Sequence, residues 1–245
     1  MWESQVDGKK LTFHLAGINN QNFIMRDEET GTWWQQVSGE AIQGPLRGKK
    51  LVPVLSDEVT FAVWKSENPA GRVLRPDERV KKKYEAANWE DEYAKLPVVT
   101  SKNPNDRFSP RALMAGLTIN GKAMAYPVDD LQKQRLILDV VGGTPVFIVM
   151  GDDKKSVRAF ERIVDGRKLE FFVKADVSPL QIPLQIIDAE TATVWDFTGK
   201  AVSGASAGKQ LKKVLVLKDY WFDWKIYHPD TAVYTLGTRA TPAKP

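Results

Sequence analysis

The chain contains two related copies of one stretch of sequence. The segment SGEAIQGPLRGKKL, which starts at Ser38, recurs as TGKAVSGASAGKQL from Thr198. The segment FAVWKSENPAGRVL, around Trp64, recurs as WFDWKIYHPDTAVY, around Trp224, at the same offset (224 − 64 = 160). Glycines, a tryptophan and a proline in constant register indicate a duplication, which constrains the fold more strongly than local propensities do. The sequence therefore predicts two tandem copies of one module.

The two copies differ in what precedes them. VDGKKLTF, from Val6, matches VDGRKLEF, from Val164. A long stretch of related-looking sequence lies ahead of Val164 and has no counterpart ahead of Val6. We expect the chain to enter its first module partway through, either because the sequence is a fragment or because strands from elsewhere complete the first sheet.

Most of the chain is predicted to form short strands. Segments such as LTFHLAG, RLILDVV and LEFFVKA are rich in β-branched and aromatic residues and end at turn residues. Asn120-Gly121 lies between two apolar runs and predicts a tight hairpin turn. Asp7-Gly8 and Asp165-Gly166 predict equivalent turns in the two copies.

Three segments are predicted to be helical. They cover residues 57–67, with Ser56 as the N-cap, residues 76–95, and residues 218–227. The predicted fold is α+β and predominantly antiparallel β, with two tandem β-rich modules, each closed by a short Trp-bearing helix. The predicted organisation is an N-terminally incomplete first module over residues 1–75, a helical and Pro-rich connector over 76–110, and a second module over 111–245.

Composition narrows the possible chemistry. The chain has no cysteine and only two histidines, so it holds no disulfide, thiolate nucleophile or Cys-ligated metal. No Gly-x-Ser-x-Gly elbow accompanies the histidines, and we predict no catalytic residue, no metal ligand and no cofactor. A net charge of +4 is too mild to indicate a nucleic acid partner. We find neither an apolar run long enough to cross a bilayer nor a signal peptide.

Four tryptophans are predicted to be structural. Trp34 recurs as Trp195, whereas Trp33 becomes Val194, so the recurring indole is expected in the core. Trp64 and Trp224 are expected to anchor each module's helix on its sheet.

A ligand-facing surface is predicted near the loop in which the two copies differ in length. Such loops often carry function, and this one is rich in amides. Trp33 is expected on the strand face opposite Trp34. It either packs in the core and at an interface, or it forms an exposed platform for a sugar or peptide. The proposed ligand-binding residues are Asn20, Asn22, Arg26, Trp33, Gln36 and Glu40.

Carboxylates in the same region are candidates for a catalytic role. Asp27 and Glu29 recur as Asp188 and Glu190, while Glu40 becomes Lys200. A carboxylate pair could perform acid–base chemistry. The Asp-x-Glu-Thr pattern is also typical of a tight turn closed by the Asp side chain, which we favour.

The run LTFHLAGINNQNFIMRDEETGTWWQQVSGEAIQGPLRGKKL resembles the sequence typical of a bacterial family, domain of unknown function 3179. DRFSPRALMAGLTINGKAMAYPV and YWFDWKIYHPDTAVY resemble its linker with the second-module hairpin and its closing helix, so the similarity covers nearly the whole chain. Matches to the family pattern fall at Asn22, Asp27, Trp34, Gln36, Gly39 and Glu40. His14 departs from the pattern, which usually has Gly there.

The resemblance implies no established activity. Family members usually carry a Cys-Pro-Leu-Cys motif just upstream of the position of Met1, which implies thiol redox chemistry or metal binding in an exported, extracytoplasmic protein. This chain lacks that motif and every other cysteine. Three functions remain open: a non-catalytic binding or structural module that contacts a protein or glycan, a redox or metal protein with cysteines upstream of this chain, and a carboxylate-dependent hydrolase through Asp27 and Glu40.

Overall fold

The computed structural model describes residues 1–19, 22–84, 86, 88–98, 106–174 and 184–237. Within these ranges the molecule consists of short strands in mostly antiparallel sheets, with four α-helices and one 3₁₀ helix. The expectation of a β-rich, predominantly antiparallel fold with few helices is confirmed.

The first half of the chain forms a hairpin and a four-stranded meander. The hairpin pairs β1 (Gln5–Val6) with β2 (Lys9–Lys10), and both residues of the Asp7-Gly8 turn have positive φ angles. The meander, which we name the first sheet, consists of β3 (Phe13–Asn19), β4 (Asn22–Asp27), β5 (Trp33–Gln35) and β6 (Ala41–Gln43).

The first helix, α1 (Phe61–Glu67), begins later than predicted. Its N-cap is Thr60, whose hydroxyl accepts a hydrogen bond from the Val63 N–H, and not Ser56. Asp57 and Glu58, which were expected in the first turn, instead form ion pairs with distant strands, so this segment stays outside the helix.

The helix predicted over residues 76–95 is not continuous. It divides into a 3₁₀ helix (Glu78–Lys83) and α2 (Trp89–Lys95). Tyr84 ends the first piece in an extended conformation, and the helical hydrogen-bond pattern does not pass through it. No described side chain of either piece belongs to the buried core, which leaves local propensity to decide where they end.

The second half begins with a hairpin of β7 (Leu113–Ile119) and β8 (Lys122–Pro127). Both Asn120 and Gly121 have positive φ angles, as the Asn-Gly pair predicts. The chain then passes through α3 (Val128–Gln134), β9 (Leu136–Val141), β10 (Thr144–Met150) and β11 (Val157–Glu161).

A second hairpin and meander follow in the same order as in the first half. The hairpin joins β12 (Ile163–Val164) to β13 (Arg167–Lys168). The meander, which we name the second sheet, consists of β14 (Phe171–Val173), β15 (Gln185–Asp188), β16 (Val194–Asp196) and β17 (Ala201–Ser203). The described chain ends with β18 (Lys213–Val214), β19 (Leu217–Tyr220), α4 (Trp221–Tyr227) and β20 (Ala232–Val233).

Two further sheets bring distant strands together. One has the order β18-β11-β10-β9, and the other has the order β19-β7-β8-β20, in which β20 runs parallel to β8. Side chains from both sheets, such as Leu117, Tyr126 and Ile148, form one buried cluster. Within the described residues, the two largest buried clusters both consist of side chains from the second half of the chain.

Each meander is centred on a buried Trp–Asp pair. The Trp34 indole N–H donates to Asp27 at 2.8 Å, and the Trp195 indole donates to Asp188 at 2.9 Å. All four side chains have at most 1% of their surface exposed. The hydrogen bond compensates the desolvation of both polar groups, so each pair can lie inside an apolar core.

The two closing helices are covered to different extents. Trp224 of α4 is 1% exposed and lies against Gly116 of β7 so closely that a Cβ at that glycine would overlap the indole. Trp64 of α1 is only half-buried and stacks on Phe61, which is itself 63% exposed. That Trp64 anchors its helix on the first sheet stays a prediction, and the contacts shown for its ring are with Phe61 and Gly71.

Helix α1 is fixed to the second half of the chain. Arg158 of β11, buried at 4% exposure, donates to Asp57 at 2.8 Å and to both carboxylate oxygens of Glu67 at 2.6 and 2.8 Å. At the N-terminal end of the helix, the Thr60 hydroxyl donates to Asp153 at 2.7 Å. These polar contacts connect α1 across the molecule.

Candidate functional site

A row of polar and aromatic side chains crosses the outer face of the first sheet. The strand registers pair His14 with Arg26, Arg26 with Trp33, and Trp33 with Gln43. Directly paired residues project on the same side of a sheet, so these four share the face opposite Trp34. Arg26 and Gln43 are exposed, and Trp33 is half-buried. We name these four residues the outer row.

The second sheet carries a different row at the same register. Its strands pair Phe172 with Ile187, Ile187 with Val194, and Val194 with Ser203. An aliphatic pair thus occupies the centre of this row, whereas the centre of the outer row is a guanidinium beside an indole.

Helix α4 contacts one end of the first sheet. Asn22 and Ile24 alternate with the inward-facing residues of β4 and therefore share the face of Arg26. The Asn22 amide donates to Asp223 of α4 at 3.0 Å, and Ile24 is 4% exposed. The outer row therefore continues into a polar contact between the first sheet and the last helix.

Asp223 lies in this contact, and a second carboxylic acid, Asp219, lies near Asp223. Burial, together with repulsion by Asp223 and Glu58, raises the pKa of Asp219 to about 7, although the Tyr220 N–H partly opposes the shift. Burial also raises the pKa of Asp223, against the effect of the Asn22 amide. At neutral pH, Asp219 is therefore partly protonated.

Burial, with the nearby charges of Asp223 and Asp219, likewise raises the pKa of the Tyr227 phenol. Gln35 of the first sheet lies close enough to oppose this shift, but no hydrogen bond of ordinary geometry reaches the hydroxyl. We name the group of Asn22, Gln35, Asp219, Asp223 and Tyr227 the polar junction.

The polar junction is rich in unpaired oxygen. Across the described ranges, five buried side-chain polar atoms lack a hydrogen-bond partner, and three of them are Asn22 Oδ1, Asp223 Oδ1 and the Tyr227 hydroxyl. Buried polar atoms are rarely left unpaired, and their concentration is typical of a functional region or an ordered water site.

Most of the predicted ligand-binding residues can be located. Asn22, Arg26 and Trp33 share the outer face, with Arg26 directly opposite Trp33. Gln36 and Glu40 are exposed at the turn that follows β5. Asn20 lies outside the described residues.

Asp27 points the other way, into the core. Burial alone would raise its pKa, but the hydrogen bonds donated by Trp34 and Thr30 outweigh that effect and hold the pKa below its usual value. Thr30 donates from both its N–H and its hydroxyl. These contacts make Asp27 the closing residue of a turn and turn its carboxylate away from the face of Arg26.

Asp219, Asp223 and Tyr227 were not among the predicted site residues. They occur in the segment KDYWFDWKIY, which was interpreted only as a Trp-bearing helix. Two acids and a phenol spaced four residues apart in an otherwise aromatic segment were the available signal, because acids in apolar surroundings often serve a site.

The described residues were searched for metal-binding groups and for membrane-spanning helices. Among the described residues, no three His, Asp or Glu side chains come together as a metal-binding group. No helix in the described part of the chain has the length and apolar character needed to cross a membrane.

Comparison with known proteins gives one result. The family described as "Protein of unknown function (DUF3179)" matches residues 1–231. No curated protein and no solved structure matched the chain. Because the match extends over both sheets and the closing helix α4, the chain belongs to the DUF3179 family of proteins of unknown function.

Proposed function

We propose that this protein is a non-catalytic binding module and that the outer row is its ligand surface. The observation that carries the proposal is the difference between the two sheets: Arg26 and Trp33 occupy positions that hold Ile187 and Val194 in the second sheet. A structural role would be served by aliphatic residues at both positions. The exposed guanidinium and the half-buried indole therefore favour recognition.

A glycan is the ligand whose chemistry fits best. An indole offers a flat apolar face to a sugar ring, while guanidinium and amide groups donate hydrogen bonds to hydroxyls. Gln43 and Arg26 are exposed on either side of Trp33. A net charge of +4 over 245 residues is too mild to favour a polyanion such as nucleic acid. The extracytoplasmic setting implied by the family resemblance agrees with a glycan ligand.

We further propose that the two halves are tandem copies of one module, with boundaries at residues 1–75 and 111–245 and a connector between them. The shared strand order and the two Trp–Asp pairs support this proposal. Under it, one copy kept a structural sheet face while the other acquired a ligand surface.

The test is binding of neutral oligosaccharides to the full chain, measured by isothermal titration calorimetry after an array screen. Trp33→Ala and Arg26→Ala are expected to weaken binding at least tenfold. The matched control is Phe172→Ala, which removes an exposed ring from the equivalent row of the second sheet and should leave binding unchanged. If Trp33→Ala binds as the unaltered protein does, the outer row is not the ligand surface.

A further inference from the structure

The polar junction contains two acids and no basic side chain. Asp223 is 6% exposed, and within the described ranges neither it nor Asp219 forms an ion pair with a lysine, arginine or histidine. Lys218, next to Asp219 in the chain, pairs with Glu58 at 2.6 Å. Burial raises the pKa of Asp219, and the two charges that add to the shift, those of Asp223 and Glu58, are both negative. Buried charges are usually paired, so a bound positive charge would complete this region.

The unpaired atoms of the polar junction are all oxygens. The Asn22 amide nitrogen donates to Asp223 Oδ2 at 3.0 Å, which fixes the orientation of the amide and leaves its Oδ1 as an acceptor. Asn22 Oδ1, Asp223 Oδ1 and the Tyr227 hydroxyl are buried without a partner. Amide, carboxylate and hydroxyl oxygens of this kind are what a hard cation binds.

These oxygens lie in one small region of the molecule. Asp223 and Tyr227 are one turn apart on α4, so their side chains lie on the same face of the helix. Asn22 contacts Asp223 directly, and the charges of Asp223 and Asp219 both act on the Tyr227 phenol. Oxygens from β4, β19 and α4 therefore come together where the last helix meets the first sheet.

The corresponding positions of the first copy carry no acid. At the offset of 160, Asp219 corresponds to Val59 and Asp223 corresponds to Val63. Val63, on α1, packs against a buried apolar cluster of the second half. An aliphatic side chain thus suffices at this helix position where packing is the only requirement. Burying two acids instead costs desolvation energy, which indicates that they bind something.

We propose that the polar junction binds one alkali-metal cation through the oxygens of Asn22, Asp219, Asp223 and Tyr227. A divalent ion is usually held by several carboxylates, and among the described residues no three His, Asp or Glu side chains form such a group. The cation would neutralise the buried acids and connect α4 to the first sheet. The inference is independent of the proposed glycan ligand, because none of its evidence involves the outer row.

The test measures the melting temperature of the full chain in sodium chloride and in potassium chloride, each against choline chloride at the same concentration of about 0.1 M. Choline matches the ionic strength but is too large for a buried site. At least one of the two metal ions is expected to raise Tm by about 3 °C at pH 8. The rise should be smaller at pH 6, because protons, which Asp219 binds with a pKa of about 7, compete with the metal ion.

Two variants locate the ion. Asp223→Asn keeps the shape of the side chain and removes its charge, and it is expected to abolish the ion-specific rise in Tm. Tyr227→Phe removes a single oxygen and is expected to reduce the rise at least twofold. The matched control is Asp129→Asn, which neutralises an exposed acid on α3 and should keep the full rise.

Three results would overturn the inference. One is an equal Tm in the three chlorides at both pH values, which would leave ordered water as the partner of these oxygens. Another is an ion-specific rise that persists unchanged in both Asp223→Asn and Tyr227→Phe. The third is a rise with calcium chloride at the same ionic strength and none with sodium or potassium, which would assign the site to a divalent ion. No oligosaccharide is present in these measurements, so failure here and failure of glycan binding are distinguishable.

Discussion

At the residue scale, Asp219 is the side chain whose ionisation bears most on stability. The folded protein raises its pKa from 3.8 to about 7, so between these values the folded state keeps a proton that the unfolded chain has released. This contribution is fully present below the unfolded pKa and is lost as the pH rises through the folded pKa. The acid therefore destabilises the fold at alkaline pH.

We predict that Asp219→Asn reduces this pH dependence. The free energy of unfolding of the unaltered protein should fall by about 2–3 kcal/mol more than that of the variant between pH 5 and pH 8, at about 1.4 kcal/mol per pKa unit. Urea denaturation at both pH values measures the difference. Asp129→Asn, at an exposed site on α3, is the control, and equal slopes for both variants would contradict the prediction.

The tryptophans of the two closing helices give a second prediction. Trp224→Ala should destabilise the protein by roughly 3–5 kcal/mol, because it empties a fully buried site against Gly116. Trp64→Ala should cost roughly 1–2 kcal/mol, because its ring is half-buried. Thermal and chemical denaturation of both variants would test this order, and a larger loss for Trp64→Ala would reverse our assignment of the core.

At the element scale, the position of α1 depends on one buried guanidinium. Arg158 pairs with Asp57 before the helix and with Glu67 at its end, so it restrains both ends. Its side chain is 4% exposed. Ion pairs of this kind contribute little over an apolar replacement, but removing one partner leaves the other charges uncompensated.

We therefore predict that Arg158→Ala destabilises the protein by roughly 3–5 kcal/mol and speeds amide exchange throughout α1. Hydrogen exchange measured by mass spectrometry, together with denaturation, would detect both effects. Arg79→Ala removes an exposed guanidinium that pairs with Asp77 and should change neither quantity. Unaltered exchange of α1 in Arg158→Ala would show that other contacts hold the helix.

At the scale of the whole molecule, the two halves interlock through their helices. Helix α1, from the first half, is fixed to β11 of the second half, while α4 contacts the first sheet through Asn22. Each half thus contacts a helix that is distant from it in sequence: the second half contacts α1, and the first sheet contacts α4.

These contacts between the halves predict a single cooperative unfolding transition. Scanning calorimetry should give a calorimetric enthalpy equal to the van't Hoff enthalpy, because the bonds of α1 to Arg158 and of Asn22 to Asp223 are lost when either half unfolds. Combining Asn22→Ala with Arg158→Ala should separate the transition into two, since each change breaks one of the connecting contacts. Two transitions in the unaltered protein would mean that the halves are independent.

Local chemistry let the sequence predict much of the fold. The Asn120-Gly121 turn and the two Asp-Gly turns depend on backbone conformations that few residues adopt, so they can be read from adjacent letters. The buried position of Trp34 followed from its recurrence as Trp195. Trp33 could be assigned to the strand face opposite Trp34 because adjacent side chains alternate along a strand.

Tertiary structure alone decided the remainder. Trp224 is covered by Gly116 of β7, which is distant in sequence, whereas Trp64 stays half-buried, and coverage by a distant strand cannot be read from the helix itself. Helix α1 begins later than predicted. Asp57 and Glu58, which precede it, form ion pairs with Arg158 and Lys218, and these partners are distant in sequence. The polar junction likewise exists only where α4 meets the first sheet. Burial and charge proximity raise the pKa of Asp219, and both are properties of packed neighbours, which a linear sequence does not specify.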